Sequence, residues 1–124
     1  APNAPLHFLN EIDHGPDEGK TDTDIKARLG EDALTLWDKN GVMPEEWSPR
    51  PDDITARWQD FLQRCASEFA GHKILVVTSN GVARFALKAA ENGGSFPLKL
   101  ATGAYGILQY DHDIWSVTDW NVRP

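Results

Sequence analysis

This chain has a single cysteine, a single methionine and few basic residues: 12 Lys and Arg stand against 19 Asp and Glu, for a net charge of −7. The lone Cys65 excludes an internal disulfide and fits a reducing, cytoplasmic setting. No apolar run approaches the roughly 18–20 residues of a membrane helix. The acidic excess argues against nonspecific nucleic-acid or anionic-membrane binding but leaves room for a local anion pocket. The aromatics do not alternate with basic residues as a nucleic-acid platform requires. The opening Ala1-Pro2-Asn3-Ala4-Pro5 has neither the basic region nor the apolar core of a signal peptide. It also lacks an initiator Met, so the expectation is a processed chain or a piece of something longer.

What is present is enough for one domain. The 124 residues are 40% hydrophobic, sufficient for a real core across residues 1–124. The organising stretch is Lys73-Ile74-Leu75-Val76-Val77-Thr78-Ser79-Asn80-Gly81-Val82-Ala83-Arg84-Phe85-Ala86-Leu87. A short β-branched run breaks at Ser-Asn-Gly and resumes with apolar residues at helical spacing, which predicts a buried strand, a tight turn and a helix start. Such a turn offers backbone N–H groups and a positive helix end to an anion.

In chain order, residues 6–13 are read as a short strand of imperfect alternation, running into a Gly/Pro loop. Thr21 or Asp22 caps a helix carrying Ile25 and Leu29 and ending at Gly30. Residues 31–39 form a second short helix with Leu34 and Trp37. Residues 43–51 hold three prolines and form a loop, with Trp47 packing onto the core. Asp52 or Asp53 caps the strongest helix, whose apolar stripe is Ile54, Trp58, Phe61, Leu62, Cys65 and Phe69. After the organising strand, a helix runs from about Gly81 to Glu91, stopped by Asn92-Gly93-Gly94. Leu98 and Leu100 begin a β pattern. Residues 105–110 and 114–120 are strands joined at Asp111-His112-Asp113 as a hairpin. Helices between strands predict α/β, with the hairpin as an antiparallel edge.

Several residues are candidates for chemistry. Ser79, Asn80 and Gly81 form the anion-binding turn. Ser79 lacks the G-x-S-x-G context and the His–Asp pair of a nucleophile. Glu11 is either a pocket-edge acid/base or a solvated strand-end carboxylate. Arg84 is expected to pair with a carboxylate. His7, Glu11, Asp13 and His14 match no closed metal site and are expected to be a solvated cluster. Asp17 and Glu18 are placed in a solvated loop, and His72 and His112 at exposed turns. Cys65 is a small core residue.

Three segments together resemble the histidine phosphatase (phosphoglycerate mutase-like) superfamily. Leu9-Asn10-Glu11-Ile12-Asp13-His14-Gly15-Pro16-Asp17-Glu18-Gly19 is similar to its L-x-E-x-x-x-G-x-x-E-G segment. Val76-Val77-Thr78-Ser79-Asn80-Gly81-Val82-Ala83-Arg84 is similar to V-V-T-H-G-G-x-x-R, with Ser79 where the second catalytic histidine stands. Thr102-Gly103-Ala104-Tyr105-Gly106 and Trp120-Asn121 resemble its closing hairpin. The resemblance implies a three-layer α/β phosphoglycerate mutase-like fold: a mixed sheet with an antiparallel closing hairpin, here without its first strands.

By the same resemblance, Glu11 is the acid/base, Ser79, Asn80 and Gly81 bind phosphate, and no metal or organic cofactor is implied. The family's Arg-His-Gly is not found before Glu11. The nucleophilic His, two phosphate-binding Arg residues and the strands flanking residues 74–78 are therefore expected to be absent. The expected function is part of a protein acting on phosphate esters, inactive alone, that needs an N-terminal fragment or a second copy to complete its sheet. The alternative is a non-catalytic module that keeps the fold and binds a phosphorylated ligand or a protein. A flavodoxin-like nucleotide binder shares the strand–turn–helix pattern, but the closing hairpin speaks against it.

Overall fold

The structure, a computed structural model, describes residues 6–124. The opening five residues, and with them the reading that no signal peptide is present, lie outside the described residues. In chain order the elements are α1 (Asp22–Leu29), α2 (Ala33–Asn40), α3 (Pro51–Glu68), α4 (Asn80–Ala83), α5 (Ala86–Ala89), β1 (Tyr105–Asp111) and β2 (Ile114–Val122), with short 3-10 turns at His7–Leu9, Gly15–Asp17 and Gly93–Ser95.

The three longer helices form where local signals favour them. Thr21 Oγ1 accepts the Asp24 N–H at 3.2 Å and caps α1. α3 opens on Pro51, whose missing N–H costs nothing in the first turn. Arg50, not Asp52 or Asp53, is therefore its N-cap, and the two aspartates sit in the first turn, where the helix end favours negative charge. Ile54, Trp58, Leu62 and Cys65 bury the inner face of α3, whereas Phe69 lies beyond its last turn and is exposed.

The segments expected to pair at long range behave differently. Residues 6–13 form no strand: His7–Leu9 winds into a 3-10 turn, and only Asp13 pairs, as an isolated bridge with Ser48. Residues 73–78 form no backbone–backbone hydrogen bond with other described residues. They keep the alternation of a strand: Val76 packs against the core, while Leu75 is 89% and Val77 79% exposed. The expected burial on both faces is thus absent, because a strand has no covered face or paired edge without neighbours.

The helix expected from Gly81 to Glu91 breaks into α4 and α5. Across the break the N–H groups of Phe85, Leu87 and Lys88 bond three residues back instead of four. This tighter winding eclipses Val82 and Phe85, and both are fully buried.

The closing hairpin forms as its alternation predicts. β1 and β2 pair antiparallel from Asp111↔Ile114 to Tyr105↔Val122. His112 and Asp113 turn the chain with φ of 51° and 65°, the backbone of a type I′ connection. The outer edge of β2 is covered by the chain after α5. Asn92 Oδ1 accepts the Val117 N–H at 2.7 Å, its Nδ2 donates to the Val117 carbonyl at 3.0 Å, and the Glu91 N–H reaches the Trp115 carbonyl at 2.9 Å. This two-stranded antiparallel sheet is the only sheet among the described residues.

The architecture is α/β, with two joined apolar clusters. The larger one centres on Ile12, Trp37, Trp47, Ile54, Trp58, Val82 and Phe85; the smaller, on Leu87, Ala90 and Val117, lies under the hairpin. No helix among the described residues is long and apolar enough to cross a membrane.

Candidate functional site

Two contacts far apart in sequence bring the segment around Glu11 beside the Ser79 turn. Thr78 Oγ1 donates to the Leu9 carbonyl at 2.6 Å. Ile12, buried, lies close against Gly81: a Cβ on that glycine would stand 3.0 Å from Ile12 Cδ1 and 3.6 Å from the Trp37 ring. The result is a cavity of about 270 Å³ lined by Glu11, Thr78, Ser79, Asn80 and residues 100–104.

The sequence-predicted site residues divide here. Glu11, Ser79 and Asn80 share the cavity, whereas Gly81 is not among its lining residues and faces the core. Ser79 is the N-cap of α4, yet its side chain makes no capping bond, and its Oγ is buried without a hydrogen-bond partner. A buried hydroxyl left unpaired costs free energy that a ligand atom could recover. α4 is only four residues long, so its end supplies much less positive potential than the long helix expected from sequence.

The electrostatics are lopsided. Glu11 is the one ionisable residue lining this cavity. It also lines a wider neighbouring groove of about 540 Å³, together with Lys20, Lys26, His14, Trp37 and Trp47 among others. One wall of the cavity is the turn at 101–104, closed by the Ala104 N–H donating to the Ala101 carbonyl at 3.0 Å. Gly103, with φ of +80°, takes the position where a type II turn requires positive φ.

Two residues differ from their sequence readings. Asp17 is not solvated: it is buried and accepts from Arg28 Nε at 2.8 Å, from Arg28 Nη2 and from Trp47 Nε1 at 2.9 Å. The Arg28 hydrogen bonds outweigh the cost of burial and hold its carboxyl down at about 2. Nothing periodic marks Asp17 in a Gly/Pro loop; its one clue is Trp47, an indole N–H that needs an acceptor once buried.

Arg84 is structural as expected, but without a carboxylate within salt-bridge distance among the described residues. Its Nη1 donates to the Trp37 carbonyl at 2.7 Å and its guanidinium carbon lies 4.2 Å from the Trp37 ring centre. Burial pushes its pKa down.

Of the four residues considered as metal ligands, His7, Asp13 and His14 make separate local contacts, and Glu11 lines the cavity. His7 Nδ1 lies 3.3 Å from Asn10 Nδ2, Asp13 Oδ1 accepts the Gly15 N–H, and His14 bonds Glu18 through both its backbone N–H and Nδ1. Those bonds from His14 lower the Glu18 pKa.

No curated protein matches this chain. The family model described as the histidine phosphatase superfamily (branch 1) matches residues 3–123. That match spans nearly the whole chain: the chain belongs to the histidine phosphatase superfamily, branch 1.

Proposed function

We propose that this chain carries the acid/base side of a phosphate-ester site and does not complete the reaction alone. The observation that carries the reading is the shared cavity: Glu11 lines it together with Asn80 and Ser79, whose hydroxyl is unpartnered. Glu11 serves as the general acid/base that protonates a leaving oxygen and later activates water. Ser79 and Asn80 receive phosphate oxygens. Gly81 backs this turn from the core side without contacting the ligand. The nucleophilic histidine and the cations that balance phosphoryl charge come from an Arg-His-Gly segment that does not occur in these 124 residues. No metal or organic cofactor takes part in this scheme.

The same scheme requires a partner. Residues 73–78 lack backbone partners among the described residues and expose Leu75 and Val77. An N-terminal fragment, or a second copy, supplies the strands that cover them. Sedimentation tests this: association through residues 73–78, weakened by Val77→Lys, supports it, and a compact monomer at all concentrations overturns it.

A second reading is a non-catalytic phosphate-ligand or protein-binding module, favoured by Ser79 and by the absence of a cation among the cavity's lining residues. Serine supplies a hydroxyl where a histidine would supply a charged donor. By analogy with oxyanion-hole deletions, that loss is worth about 3–4 kcal/mol, or roughly 10²–10³ in rate. Incubation of the chain alone with a generic phosphate monoester should give no turnover, and turnover abolished by Glu11→Gln would show that a nucleophile lies within it. In the full-length protein, a trapped phosphohistidine supports the enzyme, and ligand binding without turnover supports the module.

A further inference from the structure

The wall of the cavity at residues 101–104 is held by a residue that does not line it. Asn121 has φ of +57°, in the left-handed region. It lies where the hairpin register shifts: Tyr105 pairs with Val122 but Ile107 with Asp119, so two steps on β1 face three on β2. This is a bulge, and bulges re-aim side chains. Asn121 Oδ1 accepts the Ala101 N–H at 2.8 Å. The first residue of the turn at 101–104 is thereby fixed to the far strand of the hairpin, 20 positions along the chain.

We propose that Asn121 is a positioning residue: its side chain sets the backbone of residues 101–104, and so the shape of the wall that meets the organic part of a phosphate monoester. The proposal rests on the phosphate-ester reading above and deepens it. Asparagine suits both demands of the position, since it tolerates the left-handed region and carries a short acceptor. The wall itself, Leu100 to Ala104, bears no charged side chain, and the one ionisable group among the cavity's lining residues is the Glu11 carboxylate. A neutral organic group is therefore favoured there over one bearing a second negative charge, which would meet repulsion without a cation to offset it.

Two variants separate the backbone from the hydrogen bond. Asn121→Gly keeps the left-handed conformation and removes the acceptor; Asn121→Asp keeps an acceptor. Amide hydrogen exchange at Ala101 and Ala104 should be about two- to tenfold faster in Asn121→Gly, the range that one lost hydrogen bond provides, and close to wild type in Asn121→Asp. Unchanged exchange in Asn121→Gly overturns the positioning role.

Binding is read by amide NMR shifts with inorganic phosphate, phenyl phosphate and 4-carboxyphenyl phosphate. Phenyl phosphate should bind more tightly than its carboxylated analogue. It should weaken about two- to tenfold in Asn121→Gly and recover in Asn121→Asp, while inorganic phosphate is unaffected. Equal weakening of phenyl phosphate and inorganic phosphate overturns the wall assignment, since it places the effect on the fold as a whole. Equal or tighter binding of the carboxylated analogue overturns the charge preference. If the wild-type chain binds none of the three, the phosphate-ester reading falls and takes the ligand half of this proposal with it; the exchange result still decides whether Asn121 positions the turn.

Discussion

Replacing Asp17 by Asn should remove more stability than any other single polar substitution near the site, and the structure sets the size. The carboxylate is buried and accepts three N–H groups, two from Arg28 and one from Trp47. An amide in its place would turn one NH₂ toward donors. Removing one partner of a buried pair costs about 3–5 kcal/mol. Arg28 is 27% exposed and keeps Glu46 at 2.6 Å, so the cost falls at the lower end, about 3 kcal/mol.

The pH dependence gives a second handle on the same carboxylate. Its pKa drops from 3.8 to about 2 in the folded chain. A depressed folded pKa means that the unfolded chain binds more protons between those values. The stabilisation is therefore full above about pH 4 and lost as pH falls through about 2; at roughly 1.4 kcal/mol per pKa unit it amounts to about 2 kcal/mol. Urea unfolding followed by tryptophan fluorescence should show wild type and Asp17→Asn about 3 kcal/mol apart at pH 7, and that gap should narrow by about 2 kcal/mol toward pH 2. Glu46→Gln, on a half-exposed carboxylate, should cost less than about 1 kcal/mol. An Asp17→Asn chain within about 0.5 kcal/mol of wild type at pH 7, or a gap that stays constant in acid, would refute the reasoning.

Arg84→Lys should destabilise by about 2 kcal/mol, because an ammonium cannot both stack on Trp37 and keep the guanidinium's reach to its carbonyl; an unchanged urea midpoint would contradict this. Gly106→Ala should cost about 1–3 kcal/mol through overpacking, since a Cβ there would stand 2.3 Å from Trp120 Cε3; thermal unfolding reads it, and an unshifted midpoint argues against the contact. Burial pushes the Cys65 thiol up, so its reaction with an aromatic disulfide reagent at pH 8 should be at least about tenfold slower in the folded chain than in urea, and equal rates would place it at the surface. His112→Asn should stabilise the hairpin slightly, since asparagine suits the positive φ of a type I′ turn and Asp113 keeps its bond from the Tyr110 hydroxyl; a lowered thermal midpoint would count against the turn assignment.

The parts of the fold legible in the sequence are those whose stabilising contacts lie close along the chain. Thr21 caps its own helix, Ile54, Trp58, Leu62 and Cys65 recur on one face of α3, and β1 and β2 are joined by two residues. Residues 6–13 and 73–78 read as strands from composition, yet composition carries no information about whether a neighbour is there to pair with. The break at Arg84–Phe85 was hidden because Val82, Phe85 and Ala86 suit either a continuous helix or a tightened one.

In the candidate site, the sequence motifs single out Glu11 and the Ser79 turn, and the contact that brings the two segments together is Thr78 to Leu9, 69 positions apart. The wall at residues 101–104 was not legible, since the bond from Ala101 to Asn121 depends on a bulge that no residue pattern announces. Asp17 was misjudged for a related reason: loop composition predicts exposure, and only the buried Trp47 and Arg28 reverse it.

The run at residues 73–78 also bears on how the protein survives in a crowded solution. A β-branched segment without proline, its backbone unpaired with other described residues, is a template for copies of itself as well as for any added strand. Lys73 is the single charge in that run, and the acidic surface of the chain adds long-range repulsion between molecules. On the proposed scheme, pairing with the completing strands and stacking into aggregates compete for the same edges. The first is limited by how soon those strands arrive, the second by concentration. On that scheme, keeping the chain out of aggregates is a matter of timing: the sheet would have to be completed before another copy reaches the open edge.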